Sequence, residues 1–167
     1  MSLSSRIIPK LHHNPSFLFL ASKPSVSKPW HWQSYGNLLK VVTHSREVLR
    51  DNNIQKGDRV AFKGHNSFEW IAWNLATNSL GAIWVPMYHD QNRDYCQHIV
   101  NDCEPKLLLS DGPNMDLSIP QRDITLEPCD TVSSFMEFDM NPVSTLIYTS
   151  GTTGKPKGVM LSNENII

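Results

Sequence analysis

The chain has 167 residues, 40% hydrophobic and 19% charged, with a formal net charge of −1. That is the composition of one globular domain, and it excludes disorder, a collagenous repeat and a broad nucleic-acid surface. No apolar run approaches the roughly 20 residues that span a bilayer, and there is no secretory signal with an apolar core and small-residue cleavage site.

Residues 1–14 read as a polar lead. No acidic residue precedes Glu47, whereas Arg6, Lys10, Lys23, Lys28, Lys40 and Arg46 all do. A basic, serine-rich start is also the composition of a transit peptide. Against that, Phe17–Leu20 followed by Trp30–Trp32 reads as strand, turn and strand, and a cleaved presequence has no use for such aromatics. Pro24 and Pro29 among serines and lysines make 22–29 a loop.

Ser34 can cap a helix running to about Asn52, with Leu38, Val41, Val42, Val48 and Leu49 on one face. Lys56-Gly57-Asp58 is a turn, and Arg59–Phe62 a short buried strand. Asn66 or Ser67 caps a second helix carrying Trp70, Trp73 and Leu80, and Gly81 stands where a helix end needs a left-handed residue. Trp70 and Trp73 read as core rather than as a ligand wall. Ala82–Val85 is the next strand, with Pro86 ending it. A third helix covers Arg93–Asp102, with Tyr95, Cys96, Ile99 and Val100 on one face; Asp102-Cys103-Glu104 is its end rather than a metal site. Leu107–Leu109 is a strand. Residues 111–142 are loops with one short strand near Ile124–Leu126. Thr145–Thr149 is a clear strand, Val159–Leu161 is extended, and Ser162 starts a helix. Alternating strands and helices predict an α/β fold with a mostly parallel sheet flanked by helices.

The chemistry concentrates in Tyr148-Thr149-Ser150-Gly151-Thr152-Thr153-Gly154-Lys155-Pro156-Lys157-Gly158. Gly151, Gly154 and Gly158 open backbone angles closed to other residues and let amides approach a ligand. Successive N–H groups make an anion-binding concavity. Thr149, Ser150, Thr152 and Thr153 add hydroxyls, and Lys155 and Lys157 add charge. The natural ligand is a polyphosphate, and the loop is expected to be exposed between two strands. The spacing is not that of a Walker A loop: Gly-Lys follows Gly151 too soon, Pro156 comes next, and Val159 suggests a strand rather than a helix.

On these residues the chain resembles the AMP-binding, adenylate-forming superfamily. The flanks agree: Trp30–Tyr35, Lys56–Ala61, Asn66–Trp70 and Gly81–Tyr88 are similar to the family's first strands and helices, and Tyr95–Cys103 resembles the bubblegum-type acyl-CoA synthetases. The resemblance runs from about Asn14 onward, so residues 15–167 are identified as an incomplete N-terminal AMP-binding domain without the C-terminal domain. It implies that Thr149, Ser150, Gly151, Thr152, Thr153, Gly154, Lys155, Pro156 and Lys157 hold the β- and γ-phosphates of ATP. Lys157 matches the recurring Pro-Lys-Gly, and Lys155 a position that varies. It further implies Mg²⁺ and coenzyme A, a long-chain fatty acid as substrate, and two steps, acyl-AMP formation and then transfer to the thiol.

The stretch between Ser110 and Asn141 is shorter than in many long-chain enzymes. The family's adenine pocket, Mg²⁺-binding glutamate, ribose-binding aspartate and C-terminal catalytic lysine have no counterpart among these residues. No catalytic or metal residue is therefore assigned, and the chain alone is expected to be inactive and poorly stable. Two alternatives remain open: a non-catalytic remnant that binds nucleotide or a partner, and an adenylating enzyme for an aryl or amino acid.

Cys96, Cys103 and Cys129 lack CxxC spacing and read as free thiols in a reducing compartment; the cysteines and histidines show no recognised ligand spacing, which argues against a zinc site. The expected location is the cytoplasm, with peripheral membrane association and organelle targeting open. None of the seven histidines shares an evident geometry with a nucleophile.

Overall fold

The computed structural model describes residues 3–22, 29–126, 141–149 and 155–166. Its elements in chain order are α1 (Leu3–His13), β1 (Leu18–Ser22), β2 (His31–Ser34), α2 (Tyr35–Asp51), β3 (Arg59–Gly64), α3 (Phe68–Ser79), β4 (Ile83–Tyr88), α4 (Arg93–Cys103), β5 (Leu107–Ser110), β6 (Gln121–Asp123), β7 (Val143–Thr149), β8 (Lys157–Ser162) and α5 (Asn163–Ile166). β1 and β2 form an antiparallel ribbon. The others make one sheet in the order β6-β5-β3-β4-β7-β8, parallel throughout except for the antiparallel β7–β8 pair.

Period-2 alternation on the central strands feeds two cores. Val60, Phe62, Trp84, Leu107 and Leu109 pack under α1, α2 and α3. Ala61, Val85, Met87 and Leu108 face the other way and meet Cys96 and Ile99 of α4. Burial on both faces is why these strands read as unbroken apolar runs. The helices begin where capping chemistry predicts. Ser34 accepts from the Asn37 amide at 3.1 Å, Ser67 from Trp70 at 3.1 Å, and Asn92 from Tyr95 at 2.9 Å. Gly57 and Gly81 both take positive φ (87° and 67°). The Gly57 amide donates to the Gly81 carbonyl at 2.9 Å, stitching the turns that launch β3 and β4.

The structure departs from the sequence reading at four places. Residues 3–13, expected to belong to a polar lead, form α1. Ile8 and Leu11 are buried in the core, and the Ser4 hydroxyl donates to the Leu75 carbonyl at 2.9 Å. Pro9 inside the helix hid its periodicity, since proline is a strong interior breaker signal. Pro86 does not end its strand: it pairs with Phe62 within β4. The Ile83 amide donates to Asp58 on the β3 side. By alternation Pro86 therefore turns its missing N–H toward β7, where pairing is confined to Trp84↔Thr145. The short strand lies at Gln121–Asp123, ahead of the expected 124–126; Ile124 is buried, and its carbonyl accepts the Trp73 indole N–H at 3.0 Å. Finally, Trp73 is wholly core, but Trp70 is only partly buried and lines two cavities.

Candidate functional site

β7 leads into the glycine-rich loop and β8 leads out, with Thr149 registered opposite Lys157 and Tyr148 opposite Gly158. The strands stay paired up to the loop itself. Thr149, Lys155 and Lys157 are exposed at this end, so hydroxyl and ammonium groups stand at the mouth. Ser150, Gly151, Thr152, Thr153 and Gly154 lie outside the described residues, and so does the bulk of the expected exposed loop. Gly158 has a different role from the one its loop position suggested. Its φ is not in the left-handed range, but a Cβ there would meet Leu146 Cδ1 and the Tyr148 ring at 3.1 Å. Gly158 is needed so that the Tyr148 ring can lie against β8.

One helix touches the strands on both sides of the loop. From α4, Asp102 Oδ2 accepts the Tyr148 hydroxyl at 2.5 Å. Four residues earlier on the same face, His98 Nε2 lies 2.9 Å from the Pro156 carbonyl. A carbonyl only accepts, so Nε2 carries the proton. The His98 and Tyr148 rings meet edge to face with centroids 6.5 Å apart. Burial and then the Asp102 carboxylate push the Tyr148 phenol well above its ordinary range. The Cys103 thiol beside it is pushed up by burial, with the Tyr148 hydrogen bond opposing; burial also raises Cys96. Raised thiols are poor nucleophiles, in keeping with a structural part. The sequence carried a signal for this latch: histidine and aspartate at i and i+4, and a tyrosine immediately before the loop.

The C-terminal ends of the parallel strands carry a second polar group. The His65 amide and ring Nδ1 lie 2.7 and 2.8 Å from Asp111 Oδ2. His65 stacks on His89 with centroids 3.8 Å apart, and the Lys63 ammonium donates to the His89 carbonyl. Burial would raise the Asp111 carboxyl, but the His65 hydrogen bonds and the nearby Lys63 charge hold it below its usual value. Gly64 makes the contact feasible, since a Cβ there would sit 2.9 Å from Asp111 Oδ2 and from the Phe62 ring. Strand ends thus bring together histidines 24 positions apart (89 − 65), which the sequence reading treated singly. No nucleophile joins them. Among the described residues no group of three carboxylate, histidine or cysteine side chains could hold a metal. A cavity of about 280 Å³ opens at this edge between Trp70, Tyr88, Tyr95 and Tyr148. Crevices at the carboxyl ends of parallel strands are where α/β folds place ligands.

Residues 19–167 match the family model described as "AMP-binding enzyme". The chain is 25% identical over 183 residues to the long-chain-fatty-acid–CoA ligase ACSBG2 of Xenopus laevis, an alignment covering 90% of this chain and 24% of that protein. It is 32% identical over 128 residues to the hybrid PKS-NRPS synthetase poxE of Penicillium oxalicum, covering 71% of this chain and 3% of that one. Among solved structures, the fatty acid AMP ligase from Legionella pneumophila superposes with a TM-score of 0.83 at 25% identity, covering 99% of this chain and 31% of that chain. The chain therefore spans about a quarter or less of the length of these curated relatives.

Proposed function

Because the chain belongs to the AMP-binding enzyme family, we propose that it is the phosphate-holding part of an ATP-dependent ligase that activates a fatty acid as its acyl-adenylate and passes it to coenzyme A. The observation that carries this reading is the Thr149↔Lys157 pairing. It sets a loop rich in glycine, hydroxyls and lysine on a rigid rim, with exposed donors on both sides. The fatty acid is supported by the reach of the similarity to ACSBG2, which covers 90% of the chain.

In this reaction a carboxylate oxygen attacks the α-phosphorus, the bond to pyrophosphate breaks, and acyl-AMP forms. The thiol of coenzyme A then attacks the acyl carbon and AMP leaves. The part of this chain is at the β- and γ-phosphates. Thr149, Ser150, Gly151, Thr152, Thr153 and Gly154 offer hydroxyl and amide donors, and Lys155 and Lys157 offset the charge that grows on the departing pyrophosphate. Pro156 fixes the exit, with its carbonyl held by His98. Mg²⁺ would supply further charge neutralisation. Threonine and lysine donors do not make a cage for it, so it would arrive on the nucleotide's own phosphates.

The 32% identity to a hybrid PKS-NRPS synthetase favours a second acid class, an amino acid, on the same machinery. Two measurements test the phosphate-holding reading, and the second also tests the acid. Titration calorimetry of the 167-residue chain with pyrophosphate is expected to show binding; a folded chain that binds none removes the phosphate-loop reading. Carboxylate-dependent ATP–pyrophosphate exchange is expected to be absent from these residues alone. Exchange with an amino acid and not with a fatty acid would replace the substrate.

A further inference from the structure

Four of the large exposed apolar side chains fall in one short stretch of the fold. Phe17 and Leu18, at 59% and 53% exposure, lie at the start of the β1–β2 ribbon, and Trp30 and Trp32, at 59% and 60%, lie at or beside β2. Trp32 lies within β2 and Trp30 immediately precedes that strand. The end of α1 leads into the start of the ribbon: the Phe17 amide donates to the Asn14 carbonyl at 3.0 Å, and Lys10 and His13 are exposed on that last turn. Phe17 sits 5.3 Å from the Tyr35 ring. Tyr35 in turn borders an apolar cavity of about 350 Å³, which Lys10 and Phe19 also line and no acidic residue does. The chain up to Glu47 contains no carboxylate side chain.

We propose that this ribbon and the end of α1 form a docking surface for an anionic lipid bilayer. Tryptophan is the side chain best suited to the headgroup zone, because its ring is apolar and its N–H remains wet. The exposed ammonium of Lys10 faces a surface whose potential attracts cations. A soluble partner would offer a polar rim, whereas a ribbon and helix end whose own residues carry no carboxylate match a negatively charged plane. No helix of the described residues is long and apolar enough to cross a membrane, so the contact is peripheral. The surface shares no residue with Thr149–Lys157 and stands or falls apart from the ligase reading.

The test is cosedimentation of the full chain with phosphatidylcholine vesicles, with and without phosphatidylserine. Binding is expected only with phosphatidylserine and should weaken as salt rises. Lys10→Glu reverses one charge and should lower partitioning roughly tenfold or more. Trp30→Ala with Trp32→Ala should abolish quenching of the protein's fluorescence by brominated acyl chains. These tryptophans are exposed, so the double variant should keep its circular dichroism spectrum. Equal partitioning to both vesicle types, or none to either, overturns the proposal. So does a double variant that still binds and is quenched, or one whose only change is loss of self-association, which would make the face a contact between copies.

Discussion

The Tyr148 hydroxyl donates to the Asp102 carboxylate across 2.5 Å, joining the last buried residue of β7 to the end of α4. Asp102 is exposed while Tyr148 is buried, so the bond anchors a strand from its solvent side. Tyr148→Phe frees a carboxylate that water can reach, and the expected cost is about 1 kcal/mol in denaturant unfolding. The raised phenol pKa gives a second readout. The folded state keeps the proton that the unfolded chain loses above the ordinary value of 10.0. Stability is therefore full below that pH and falls above it, by at most about 1.4 kcal/mol per pH unit. Tyr148→Phe should flatten this alkaline decline.

His98 should matter to phosphate binding without touching phosphate. His98→Ala removes the donor to Pro156 and is expected to weaken pyrophosphate binding roughly fivefold, equivalent to about 1 kcal/mol. His98→Gln keeps an N–H of similar reach and should recover most of it. Calorimetry of the three proteins checks this; equal affinities would mean that the Pro156 contact does not position the loop.

Lys157 is paired to Thr149 through its backbone, so Lys157→Met should leave the strand intact and remove one ammonium. Loss of a charge-assisted contact predicts at least tenfold weaker pyrophosphate binding and a shallower salt dependence. Lys155→Met should cost less, in line with its more variable place in the family pattern. Affinity measured at two salt concentrations gives both numbers.

Gly64→Ala should destabilise by about 1–3 kcal/mol, because its Cβ would enter the 2.9 Å space held by Asp111 and the Phe62 ring. The same carboxyl sets an acid limit. Its folded pKa is depressed below 3.8, so the stability it contributes is present above that pH and is lost as pH falls through the folded value. His65→Ala should remove only part of that acid-side loss, since the ring hydrogen bond goes while the backbone one, the larger of the two in holding the carboxyl down, stays. Unfolding curves from pH 5 downward, read to about pH 2, test the sign.

Val159 and Met160 on the outermost strand β8 are 44% and 70% exposed. An apolar edge strand invites pairing with other chains. Met160→Lys is expected to reduce hydrophobic-dye binding and aggregation of this chain with little change in unfolding midpoint. Unchanged dye binding would place the adhesive surface elsewhere.

The α/β order was legible because each signal was local. Ser34, Ser67 and Asn92 cap by their own side chains, Gly81 needs its own φ, and the apolar strands announce burial on both faces. What escaped the sequence depends on distance in the fold. Whether Pro86 breaks a strand depends on which neighbour its nitrogen faces, and α1 owes its burial to Leu75 and the α3 surface. The phosphate loop was visible as composition. Of its latch the sequence held only the local trace, His98 and Asp102 at i and i+4, and not their pairing with Tyr148, which lies 50 positions beyond His98 (148 − 98). Gly158 looked like a flexible loop residue and is a packing residue; only the Tyr148 ring against it shows the difference.

The Thr149↔Lys157 register also fixes a thermodynamic starting point. In an antiparallel pair the two Cα atoms stand about 5 Å apart. The entropic cost of bringing both ends of residues 150–156 together is thus met by strand pairing before any polyanion arrives. A ligand then does not have to bring those ends together. Changes that fray β7 from β8, even far from the phosphates, should then appear as a less favourable binding entropy with little change in enthalpy.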